Sequence, residues 1–80
     1  MKIIGINEEY TINQSDVAFY IDKAPSQETI RILNLIHSDM GVVYNEKLHY
    51  LNMITFPNRP IDDALIEAIN ADIAAIEESH

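Results

Sequence analysis

The sequence predicts a small α+β domain: an antiparallel sheet with two helices, in the order ββαββα. Three observations carry that prediction. Apolar residues recur with period two in four short stretches, and with helical spacing in two longer ones. Turn-forming residues separate the stretches. At 80 residues the chain makes one domain, residues 1–80, with no room for a second core.

The elements follow in order. Ile4, Ile6, Tyr10 and Ile12 alternate over residues 2–12 and predict a first strand, interrupted by the polar Asn7, Glu8 and Glu9. Asn13, Gln14, Ser15 and Asp16 supply a turn. Val17, Phe19 and Ile21 then alternate with Ala18, Tyr20 and Asp22, which predicts a second strand antiparallel to the first.

A helix is expected between Ser26, a good N-cap, and Gly41, which suits the C-terminal cap; Glu28 places a negative charge in its first turn. Ile30, Ile32, Leu33, Leu35, Ile36 and Met40 fall on an arc of roughly 220°, with Gln27, Arg31, Asn34 and Ser38 as the polar stripe. One sheet covers only about 100° of a helix. The second helix or a second chain must cover the remainder, so homodimerisation through this face is a secondary expectation.

Residues 42–44 and 48–56 read as the third and fourth strands, with a turn at Asn45, Glu46 and Lys47. The fourth is apolar on both faces, with Leu48, Tyr50, Ile54 and Phe56 against Leu51 and Met53. That pattern marks a central strand, or an edge covered by another molecule. Pro57, Asn58, Arg59 and Pro60 stop it. From about residue 61, Ile61, Leu65, Ile69, Ile73 and Ile76 recur every three or four positions and predict the second helix. Asp62 stands where its N-cap belongs, whereas Asp72 lies mid-helix at the apolar edge with no evident role.

Charge is distributed unevenly. After Arg59 there is no lysine or arginine, but there are six carboxylates: Asp62, Asp63, Glu67, Asp72, Glu77 and Glu78. That segment therefore holds −6 of the formal net charge of −8. Asp63, Glu67, Glu77 and Glu78 fall away from the apolar stripe, with Asn70 and Ala74. An exposed helix usually supports itself with opposite charges four residues apart, and this one forgoes them. Asp63 and Glu67 stand about 6 Å apart along the axis, near the phosphate spacing of a nucleic-acid strand.

The five basic residues, Lys2, Lys23, Arg31, Lys47 and Arg59, are scattered among thirteen acids, which argues against direct nucleic-acid binding. The expected partner is instead a protein with a basic surface, such as a nucleic-acid-binding complex. Asp63, Glu67, Glu77 and Glu78 would meet it, together with Tyr20 and Tyr50 of the sheet.

Catalytic signals are thin. His37, His49 and His80 form no metal-ligand spacing, there is no cysteine, and no serine has a glycine elbow. Gly5 and Gly41, the two glycines, make no phosphate loop. The chain is expected to be no enzyme and to need no cofactor or metal. A rival reading is a small enzyme or metal-dependent protein built on His37, His49 and Asp72.

No signal-peptide run and no membrane span are evident, so the cytoplasm is expected, or the host cytoplasm if the gene is phage-borne. Size, acidity and the thin catalytic set match the character of inhibitors, such as phage or mobile-element proteins that block host nucleases or CRISPR complexes. Immunity proteins, antitoxins and homo-oligomeric structural modules share that character. No motif places the chain in any one family.

A domain this small with a charge of −8 repels itself at low ionic strength. Its Tm should rise as salt goes from low to moderate concentration, as followed by circular dichroism. A falling Tm would contradict the repulsion.

Overall fold

The computed structural model describes all residues except Asn58 and His80, so Asn58 of the strand-stopping segment and the terminal His80 lie outside the described residues. The elements are β1 (Ile3–Ile6), β2 (Asp16–Ile21), α1 (Gln27–Ile36), β3 (Met40–Asn45), β4 (Tyr50–Thr55) and α2 (Asp63–Ser79). They form one antiparallel sheet of order β1-β2-β4-β3. The expected ββαββα order holds, and β4 is central, as its two apolar faces suggest. β2 and β3 run parallel with β4 between them, so β2, α1 and β3 make a split β-α-β unit.

Several boundaries differ from the sequence reading. β4 spans Tyr50–Thr55 rather than 48–56, because the chain is still turning at Leu48 and at His49, whose φ is 55°. β1 ends at Ile6 because the chain turns on the Asn7 carbonyl, which accepts the N–H groups of Tyr10 and Thr11 and the Thr11 hydroxyl. That turn takes Tyr10 out of the strand and stacks it on Tyr50, with ring centroids 4.9 Å apart. α1 ends at Ile36, five residues before Gly41, with His37 as the C-cap, whose N–H bonds the Leu33 carbonyl. Met40 and Gly41 belong to β3, paired with Thr55 and Ile54. Gly41 lies against Phe56: a Cβ there would stand 3.4 Å from that ring, an ordinary van der Waals contact.

The core lies on one face of the sheet. Phe19, Leu51 and Met53 are fully buried there, together with Val17, Val42 and Ile3. Leu33 of α1 and Ile69, Ile73 and Ile76 of α2 close over them. The wide apolar arc of α1 is covered only in part, because Leu35 and Ile36 remain 67% and 54% exposed. On the other face Ala18 is buried beneath Thr11, whose hydroxyl accepts the Ala18 N–H at 3.0 Å. Tyr20, Val43 and Phe56 stay exposed.

Each helix also closes one sheet edge. Asn34 of α1 takes the Val42 N–H on its Oδ1 at 2.8 Å and donates its Nδ2 to the Val42 carbonyl at 2.9 Å. Asn70 of α2 does the same for Ile3 of β1, at 2.8 and 3.1 Å. The two ββα halves thus cross over, since each helix caps the edge strand of the other half. Asn34 and Asn70 were expected on polar stripes; the structure makes them ties between helix and sheet.

Truncating either tie strands a backbone donor and acceptor under a helix. Asn34→Ala and Asn70→Ala should each destabilise the fold by about 1–3 kcal/mol in urea denaturation. Gln27→Ala, an exposed helix position, should change it by less than about 0.5 kcal/mol.

Candidate functional site

α2 sorts its carboxylates by the side of the helix each occupies. Asp62 is the expected cap, accepting the Leu65 N–H at 2.9 Å. Turning about 100° per residue puts Asp63, Glu67 and Glu78 within about 60° of one another, and all three are exposed. Among the described residues none of the three has an ion-pair partner. Beside this row stand the exposed Ala64, Ala68, Ala71 and Ala75, so the outward face of α2 pairs an acidic row with a flat one.

Glu77 leaves that ridge. It is half-buried at the end of the sheet, where its Oε1 meets the Met1 amino group and its Oε2 accepts the Thr29 hydroxyl at 3.4 Å. The sequence placed it outward because its wheel position borders the polar side. The arrival of β1 beneath the last turn of α2 turns it inward.

Asp72 gains a role from α1. Its Oδ2 lies 2.6 Å from Nε2 of His37, the residue that caps α1. The contact joins the end of one helix to the middle of the other, which explains a carboxylate at the apolar edge. It also brings together two members of the rival catalytic trio. The third, His49, lies elsewhere, in the β3–β4 turn with φ at 55°, and its Nδ1 is 2.7 Å from the Tyr44 hydroxyl. Among the described residues no three histidine, aspartate or glutamate side chains cluster closely enough to hold a metal ion.

The tyrosines do not join the acids. Tyr20 alternates with the core residues Phe19 and Ile21 and so stands on the open face, 51% exposed. Tyr50 is half-buried there under Tyr10. α2 packs on the opposite face, so the six residues nominated from sequence divide between two surfaces.

Elsewhere Asp22 accepts the Lys2 N–H at 2.7 Å, which holds its carboxyl below the usual carboxylate value. Glu28 raises the pKa of Arg31 through a direct hydrogen bond. Neither pair touches the outward face of α2. No described helix is long and apolar enough to cross a membrane. Comparisons with protein-family models, curated proteins and solved structures find no match.

The His37–Asp72 contact should act as a structural tie. A double-mutant cycle with His37→Ala and Asp72→Ala should give a coupling of about 0.5–3 kcal/mol in urea denaturation. Asp63→Ala should stay within about 0.5 kcal/mol of the parent.

Proposed function

We propose that this protein is a non-enzymatic binding protein that docks the outward face of α2 onto the basic surface of a partner protein and so blocks or regulates it. One observation carries the reading: Asp63, Glu67 and Glu78 share one exposed stripe of α2 and have no ion-pair partners among the described residues. The other acids of this segment are engaged, Asp62 as the cap of the helix, Asp72 by His37 and Glu77 by Thr29. The three left over are thus the ones that a partner's lysines and arginines can reach.

The physics favours such a match. Unpaired acids on a rigid helix keep their full attraction for a cationic surface, and long-range steering speeds encounter. The neighbouring alanines let a partner's side chains lie close against the helix. A nucleic-acid-binding protein is a fitting target, because its surface is already basic enough to attract phosphates. An inhibitor of the anti-defence kind, acting in a host cytoplasm, would use such a surface in this way; an immunity protein or antitoxin is the alternative within the same class.

Affinity purification from a native host, with mass spectrometry, tests the reading. The wild-type protein should retain a basic partner, and binding should weaken steeply with added salt. Combined Asp63→Lys, Glu67→Lys and Glu78→Lys substitution should reduce retention at least about tenfold, a change of roughly 1.4 kcal/mol. The far-UV spectrum should stay unchanged. Undiminished retention by the triple variant would move the interface off α2.

A further inference from the structure

On the outer edge of β3, among the described residues, the backbone groups of Tyr44 have no hydrogen-bond partner. In an antiparallel ladder, residues that bond the neighbouring strand alternate with residues whose backbone groups point away. Val42 is of the second kind, because its N–H and C=O both meet the Asn34 side chain. Met40, two residues earlier, points the same way and donates its N–H to the His37 carbonyl. Tyr44, two residues after Val42 on the same strand, therefore turns its N–H and C=O outward. Among the described residues no hydrogen bond reaches either group.

A cleft of about 370 Å³ opens beside this free peptide unit, lined by Pro25, Gln27, Ile30, Val42, Tyr44 and Glu46. It runs between the start of α1 and the edge of β3. We propose that this cleft receives an extended, lysine- or arginine-bearing segment of a partner protein, which adds to the sheet beside β3. Its backbone pairs with Tyr44 as the Asn34 side chain pairs with Val42. Strand addition of this kind draws affinity from main-chain bonds and selectivity from alternate side chains. Here the half-buried Ile30 meets the apolar side chains, and Glu46 meets the cation.

Charge chooses the occupant. Glu46 is the ionisable carboxylate of the cleft, and the whole chain carries −8. A second copy would bring two net charges of −8 together, whereas a cationic segment is attracted. The opposite edge is less suitable. There β1 offers Ile6 above a comparable cleft of about 350 Å³, but a bulge between Ile3 and Gly5 distorts the strand. Bulges protect edges from added strands.

This site stands apart from the α2 stripe, and its test separates the two. The probe is a capped synthetic heptapeptide that alternates lysine and valine, titrated into isotope-labelled protein and followed by NMR and amide exchange. In the free protein the Tyr44 amide should exchange at least about tenfold faster than the Val42 amide. Saturating peptide should protect Tyr44, with shift changes centred on Gln27, Ile30 and residues 43–46.

Glu46→Lys should weaken binding at least about fivefold. Tyr44→Pro, which removes the outward N–H at a position where an edge strand tolerates proline, should abolish it. The triple α2 variant should bind the peptide within about twofold of wild type, even if it loses the partner. Three results would overturn the proposal: shifts spread over α2 without Tyr44 protection, equal binding of a glutamate–valine peptide, or Tyr44 already protected in a self-associated free protein.

Discussion

The structure depends on how an open four-stranded sheet is closed at its edges. Such a sheet exposes two rows of unpaired backbone groups, and a row covered by a helix cannot rely on water. Asn34 and Asn70 resolve this with the same bidentate contact, one amide side chain matching one peptide unit at Val42 and at Ile3. Asparagine is a poor helix former, so each tie sets local helix preference against tertiary hydrogen bonding. The reward is a defined helix position, since a side chain this short must sit directly over the strand it caps.

Placement of α2 then decides which of its charges are free. With Asn70 over β1, one flank of the helix meets the end of the sheet and the other meets α1. Glu77 and Asp72 fall on those flanks and become engaged, while among the described residues Asp63, Glu67 and Glu78 have no ion-pair partner. The acidity of the last segment is therefore partly structural and partly available for recognition. The sheet's other face is separate, with Tyr20, Val43 and Phe56 on the far side of the core. Two surfaces of different chemistry thus share one small domain.

Much of the fold is legible in the sequence because short-range periodicity records it. The alternation at Val17, Phe19 and Ile21, the two-faced run in β4 and the spacing of Ile69, Ile73 and Ile76 all match their places in the structure. Capping was legible too, at Ser26 and Asp62. The errors arose where a residue has two local uses. Gly41 suits a helix end by its own preference, but α1 has already ended at Ile36 and Gly41 pairs with Ile54 in the sheet. Tyr10 and Ile12 continue an alternating pattern, but the turn on the Asn7 carbonyl has already ended the strand.

The site was legible only as a composition. The sequence by itself determined that the final helix would be acidic, unsupported by bases and amphipathic, and that the domain would be one α+β layer pair. Tertiary structure alone decided that His37 would claim Asp72, that Glu77 would turn inward, and that the tyrosines and the acids would lie on opposite faces. The physical reason is range. Periodicity and caps act over a few residues, whereas the partners of Asp72 and Asn70 lie 35 and 67 positions away in the chain, and only packing brings them within a hydrogen bond.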